Sequence, residues 1–224
     1  MQQINEIAAI GILAAAFVLV LALAQFMHSR FGVRAEHTRK FAHVAIGLAC
    51  VLVPFHFTNH WYLLIGNIGF IGYLLYARRQ GQLPSLFNIG RESWGDVLLS
   101  VSIYGNALLV IQYDFEALFY LPLLILAVAD PAAYYAGQFF NKKNKSWIGS
   151  TSFIVVAWVA SSLYLTAFAI TQYPSQAGLL VACAVLGAMA EHISVGGWDN
   201  LTVPLTVAGV LVVYHEIIYE YAAN

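Results

Sequence analysis

FEALFYLPLLILAVADPAAYYAGQFFNKKNK, residues 115–145, sets an apolar run of membrane length against a basic cluster, and beyond Glu116 at its start one carboxylate, Asp130, interrupts the run. A helix of about 20 apolar residues crosses the hydrocarbon of a bilayer, so residues 115–138 read as one span. The same grammar repeats on both sides. Apolar runs predict further spans over residues 6–27, 40–56, 60–77, 94–111, 149–171, 176–192 and 201–219, about eight spans in all. The second is short and begins in the polar stretch 35–40, so it is expected to start as an extension beyond the membrane.

All ten Lys and Arg residues lie in three clusters: Arg30, Arg34, Arg39 and Lys40; Arg78, Arg79 and Arg91; Lys142, Lys143 and Lys145. These occupy every second gap, and the gaps near residues 56–60, 112–116 and 172–176 contain none. The positive-inside rule therefore predicts cytoplasmic basic gaps, with both termini outside. The first run carries Glu6 and no basic residue ahead of it, so it reads as a retained helix and not a cleaved leader.

Composition agrees: 61% hydrophobic and 9% charged residues, with a mean hydropathy of +0.74, describe a single all-α integral membrane domain over residues 1–224. The formal net charge of -1 says nothing about nucleic acid, because the positive charge is confined beside the membrane, where anchoring explains most of it; the expected partner is the lipid bilayer and no nucleic acid. Cys50 and Cys183 sit inside apolar runs without metal or redox spacing and read as buried thiols. Gly66, Gly69 and Gly72 line one side of the third span and predict close helix packing there. The polar linker 80–93 is expected to lie along the membrane surface.

Chemistry is to be sought at the basic face. A carboxylate inside a span is costly and usually functional. Asp130-Pro131 reads as an N-cap followed by a first helical residue, so the fifth span is predicted to break there and restart through Phe140, either exposing an anion site or simply capping its own kink. The following loop places Lys145 and Ser146 beside Gly149 and Ser150, a pattern that suits phosphate but is not a Walker A loop. Residues 191–205 hold Glu191, Asp199 and Asn200 without a single Lys or Arg, so orientation signalling does not explain them. With Asp130, these oxygens suit Mg²⁺ and a nucleotide triphosphate; a polar turn between helices is the plainer alternative. Arg39, Lys40 and His43 share a helix start, where His43 is either a phosphate contact, a proton acceptor or a packed histidine; Arg91 and Asp96 lie at the same face.

These pieces, in order, are Arg39-Lys40-x-x-His43-x-x-x-Gly47, Arg91-x-Ser93-x-Gly95-Asp96, Ala129-Asp130-Pro131-x-Ala133-x-x-x-Gly137, Lys145-Ser146-x-x-Gly149-Ser150, and Glu191 with Asp199-Asn200-Leu201-Thr202-Val203-Pro204-Leu205. Over residues 39–205 the chain resembles the CTP-dependent lipid-alcohol kinases, which include dolichol kinase, phytol kinase and the yeast-type diacylglycerol kinase, with the phytol kinase branch closest and phosphatidate cytidylyltransferases more distant. His192 follows Glu191 where serine is common in that family.

The resemblance implies a multi-span enzyme that moves the γ-phosphoryl group of CTP, with Mg²⁺, to the hydroxyl of a membrane lipid alcohol such as phytol, geranylgeraniol, farnesol or a polyprenol. Asp130, Asp199 and Glu191 are then the catalytic and metal-binding acids, with Asp199 or Glu191 as general base. Arg39, Lys40, His43, Lys145, Ser146, Gly149, Ser150 and Asn200 are the expected nucleotide ligands, and Arg91 and Asp96 lie near the acceptor. The competing readings are CDP-lipid synthesis, a diacylglycerol kinase, and a transporter; the last lacks an inverted repeat in this sequence.

Overall fold

The computed structural model describes residues 6–52, 59–90, 92–140, 145–167 and 176–223. Arg91, Lys142 and Lys143 lie outside the described residues. Among those described, the chain is all helix: α1 (Glu6–Phe31), α2 (Ala35–Leu52), α3 (His60–Arg79), α4 (Pro84–Phe87), α5 (Gly95–Tyr113), α6 (Ala117–Phe139), α7 (Trp147–Ala167), α8 (Gln176–Ile193) and α9 (Asp199–Ala223). The eight long helices overlap the eight predicted runs, of which residues 53–56 and 168–171 lie outside the described residues. Five of them, α1, α5, α6, α7 and α9, are long and apolar enough to cross a membrane by length and composition alone. As its polar start predicts, α2 begins at Ala35, ahead of Lys40.

Contacts bring one end of the bundle together. The starts of α2, α5, α7 and α9 meet the ends of α3, α6 and α8 through Lys40–Asp130, Arg78–Asp96, Lys145–Glu191 and Asn200–Gly95. All three basic clusters reach this end, which is the arrangement that the alternation of basic and unbasic gaps predicts. The linker after α3 contains the short helix α4. Its helix α4 is seated against α1 and α2, with Ser85 fully buried, its carbonyl accepting from Thr38 Oγ1 at 2.6 Å and its amide facing Gln25 Oε1 at 3.4 Å.

The middle of the fold is α6, which packs on α2, α5, α7 and α9 and is the most deeply buried of the five apolar spans. The predicted break at Asp130 does not occur: α6 is helical from Ala117 to Phe139 with Pro131 inside it. Proline cannot donate to the Ala127 carbonyl and would ordinarily end or kink an isolated helix. Here neighbours clamp both sides of the weak turn. A Cβ built on Gly47 of α2 would stand 2.6 Å from Ala127 Cβ, and one on Gly149 of α7 would stand 3.0 Å from the Ala133 carbonyl oxygen. Tertiary packing thus overrides the local signal, and Asp130 is an interior helical residue instead of a cap.

The crossing at Gly47 is tight enough to test. Gly47→Val forces α2 away from α6, and overpacking of this kind costs about 1–3 kcal/mol. The variant is expected to unfold at lower temperature in detergent than the parent. An unchanged Tm would show that this crossing relaxes freely and does not seat α2.

Candidate active site

Two helix faces meet around Asp130. On α2, residues 36, 40, 43 and 47 fall on one stripe, and on α6 residues 127, 130 and 134 do the same. The stripes pair as a ladder: Glu36 Oε2 accepts from the Tyr134 hydroxyl at 2.7 Å, Lys40 Nζ donates to Asp130 Oδ2 at 2.5 Å, and Gly47 lies against Ala127. His43 Nε2 is 4.0 Å from Asp130 Oδ2 and 3.4 Å from the Leu126 carbonyl. Asp130 is 3% exposed, so Lys40 supplies the countercharge that a carboxylate at this depth requires. Lys40 Nζ also stands 5.2 Å from the centre of the Tyr134 ring.

The second half of the cluster comes from α7, α8 and α9. Lys145 Nζ is 2.7 Å from Glu191 Oε1 and 3.6 Å from Asp199 Oδ2, and it also donates to the Glu191 carbonyl. Carboxylate oxygens of Asp130, Glu191 and Asp199 all lie within 4.8 Å of one another. Three carboxylates against two ammonium groups leave one formal negative charge. The predicted acids therefore converge, although they come from three helices and are separated by up to 69 positions in sequence (199 − 130 = 69).

Other predicted ligands have structural partners. Ser146 Oγ accepts from the Gly149 amide at 3.3 Å, capping the start of α7, and Gly149 is the close-approach residue against α6. Ser150 Oγ is 2.9 Å from His192 Nδ1, whose ring stacks on Trp147 with centroids 5.5 Å apart. Asn200 Nδ2 donates to the Gly95 carbonyl at 2.5 Å and fastens α9 to α5. The Trp94 amide donates to the Gly196 carbonyl at 2.9 Å, and Arg39 Nη1 donates to Ser93 Oγ at 3.1 Å.

Asp96 pairs with Arg78, 2.9 Å away, and Arg78 also donates to the Ser93 carbonyl at 2.8 Å. The Arg78 guanidinium sits 4.9 Å from the Phe87 ring centre and 4.8 Å from that of Trp94. Sequence reading treats Arg78 as an orientation signal only, because neither its neighbours nor its spacing shows the aromatic pair. Tyr134 and Glu36 are missed too. Their signal is one helical turn: Tyr134 follows Asp130 by four, and Glu36 precedes Lys40 by four.

Two cavities flank the cluster. A polar vestibule of about 1070 Å³ is lined by Lys145, Glu191, Ser146, Gly149 and Tyr134 together with Lys40, Asp130 and Asp199. On the other side a narrow throat of about 50 Å³ is lined by Arg39, His43, Asp96 and Asn200, by the same Lys40, Asp130 and Asp199, and by apolar side chains that include Phe17, Ile46 and Leu99. Arg39 Nε and Asp96 Oδ2 are buried here without a hydrogen-bond partner among the described residues. Arg39, His43 and Asn200 thus face the throat, whereas Lys145, Ser146 and Gly149 face the vestibule.

The chain is similar to a phytol kinase of Synechocystis sp., with 27% identity over 208 residues that cover 88% of this chain and 87% of that protein. No family model matches the chain, and no solved structure does. That similarity runs almost end to end in both chains and accompanies ordered motifs that converge on one charged cluster, which supports the likeness to lipid-alcohol kinases read from the sequence.

Proposed function

We propose that this protein transfers the γ-phosphoryl group of CTP to the hydroxyl of an isoprenoid alcohol held in the bilayer, with Mg²⁺, at the cytoplasmic face. The observation that carries the reading is that Lys40, Asp130 and Asp199 line both the polar vestibule and the apolar-sided throat. A kinase that joins a water-soluble donor to a membrane-soluble acceptor needs its reacting groups at such a partition. The basic clusters at this end favour the cytoplasm, where nucleotides are available. CTP as donor rests on the motif resemblance.

The donor set fits a hard cation: carboxylate oxygens of Asp130, Glu191 and Asp199 converge, and bound Mg²⁺ supplies charge neutralisation for the phosphates. Lys145, on the vestibule side, turns from Glu191 towards the nucleotide phosphates. Asp199, facing both cavities, takes the proton of the acceptor hydroxyl. The acceptor oxygen then bonds to the γ-phosphorus as the bond to the β-phosphate oxygen breaks, and CDP leaves through the vestibule. Positioning and charge neutralisation suffice for this chemistry.

The test is purified protein with γ-labelled CTP, ATP, GTP or UTP against phytol, geranylgeraniol, farnesol, polyprenol and diacylglycerol. Labelled isoprenoid monophosphate with release of CDP is expected; release of pyrophosphate with a CDP-lipid product overturns the reading in favour of cytidylyl transfer. In the same assay Lys145→Ala is expected to lower kcat/KM for nucleotide by about 10-fold or more, the loss of one charge-assisted phosphate contact. Lys142→Ala and Lys143→Ala are expected to retain it. Equal losses in all three would remove Lys145 from the phosphate site.

A further inference from the structure

The glycines of α3 do not serve close helix packing. A Cβ on Gly69 or Gly72 would meet nothing within 4 Å, and one on Gly66 would meet only Ile10 Cγ2 at 3.9 Å. Gly66 and Gly69 instead face a groove of about 580 Å³ between α1, α3 and α5, whose walls are hydrocarbon from Ile10, Leu13, Leu63 and their neighbours. Its one amide side chain, Asn67, is already engaged, donating to the Ser100 carbonyl at 2.6 Å. Val18 and Tyr73 also line the groove and are 65% and 44% exposed, so its rim faces outward.

The groove lies beside the throat. Phe17, Leu21, Phe70, Ser100 and Ile103 line both it and the throat that reaches Asp130 and Asp199. The Phe17 and Phe70 rings, 5.4 Å apart, stand at the junction. Groove and throat therefore adjoin across a shared wall, the groove opening at the outer surface of the bundle between α1 and α3 and the throat reaching the charged cluster.

We propose that this groove seats the hydrocarbon tail of the acceptor alcohol, with Gly66 and Gly69 as its floor, Phe17 and Phe70 at its neck, and Ile10 and Leu63 beside the tail tip. The inference rests on the kinase reading and adds to it the acceptor's route and the residues that set tail length. A tail is the occupant that the shape favours. A partner helix is about 10 Å across and cannot enter the throat, whereas a single isoprenoid chain with a terminal hydroxyl suits an apolar groove that adjoins a throat with polar groups. Along the walls Asn67 and Ser100 are engaged with backbone carbonyls, and the Tyr73 hydroxyl, on a side chain 44% exposed at the rim, brings no charge to hold a lipid headgroup.

The experiment has two arms. In the first, the ratio of kcat/KM for geranylgeraniol over prenol, the single-isoprene alcohol, is measured for the parent and for Gly69→Leu. The added side chain occupies the groove floor, and excluding two or three methylenes' worth of tail is expected to lower that ratio by about 10-fold or more. A ratio unchanged within about two-fold overturns the inference. In the second arm, geranylgeraniol carrying a photoreactive diazirine on its last isoprene unit is irradiated with the unmodified protein. Cross-links at Ile10, Leu13 or Leu63 are expected; cross-links confined to α7 or α8 overturn the proposal. This arm needs neither turnover nor a variant that folds. If the parent phosphorylates no alcohol while the probe labels the groove, the kinase reading falls and the groove assignment stands.

Discussion

Asp199→Asn is expected to lower alcohol kinase turnover by about 10³-fold or more while leaving the protein folded, because several kcal/mol of transition-state charge stabilisation pass through the carboxylate cluster. Asp199 lines both cavities and is 3.6 Å from Lys145, a contact long enough that its loss costs little stability. Asp130→Asn is expected to remove turnover equally but with a second signature. Lys40 and Asp130 form a pair with side-chain exposures of 11% and 5%, and deleting one partner of such a buried pair costs about 3–5 kcal/mol.

The two effects separate in a double variant. Lys40→Met with Asp130→Leu removes both charges, so it is expected to recover much of the stability lost in Asp130→Asn and none of the activity. Thermal unfolding in detergent and the labelled-CTP assay read the two quantities independently. Turnover within about 10-fold of the parent in either single Asn variant would take that residue out of the mechanism.

The hydropathy of the chain carries its helices well, because a span is a local property: about 20 successive residues either avoid charge or do not. The same holds for the convergence end, since the basic residues that mark one side of the bilayer also mark the ends of α1, α3 and α6. Asp130, Glu191, Asp199 and Lys145 stand out in the sequence as a candidate site for a related reason. Each breaks a local expectation, either as a charge in an apolar run or as acids in a gap without basic residues. Properties that depend on a neighbour are not legible. Asp130-Pro131 is locally a helix start, and only the packing of Gly47 and Gly149 against α6 keeps it inside a helix. Gly66 and Gly69 have the spacing of a helix interface, yet a Cβ on Gly66 would meet only one Ile10 methyl of α1 and a Cβ on Gly69 nothing within 4 Å, and a small side chain looks the same in sequence whether it faces a helix or a void. Arg78, held between Phe87 and Trp94, reads as an orientation signal until the fold brings those rings to it.

Adjacent glycines before α9 offer the sharpest test of how the acids are held, because geometry predicts opposite outcomes for the same substitution one residue apart. Gly196 has φ 61, a conformation that alanine tolerates at a cost of about 1–2 kcal/mol, and a Cβ there meets only the Glu92 carbonyl at 4.0 Å. Gly197 has φ 92, and a Cβ there would lie 2.5 Å from the Gly95 nitrogen, 2.6 Å from Ser93 Oγ and 2.7 Å from Gly95 Cα. The first and last of these are backbone at the start of α5 and cannot rotate away, so Gly197→Ala must move the loop. That loop leads directly into Asp199 and Asn200, and Asn200 is itself bonded to the Gly95 carbonyl. Displacement by about 1 Å at a reacting group is sufficient to cost about 10²-fold in rate, so Gly197→Ala is expected to lose about that much turnover, with Gly196→Ala staying within a few-fold of the parent. Turnover in the labelled-CTP assay, set beside Tm for both variants, decides the matter. Comparable activity in the two alanine variants would mean that contact with Ser93 and Gly95 does not position Asp199.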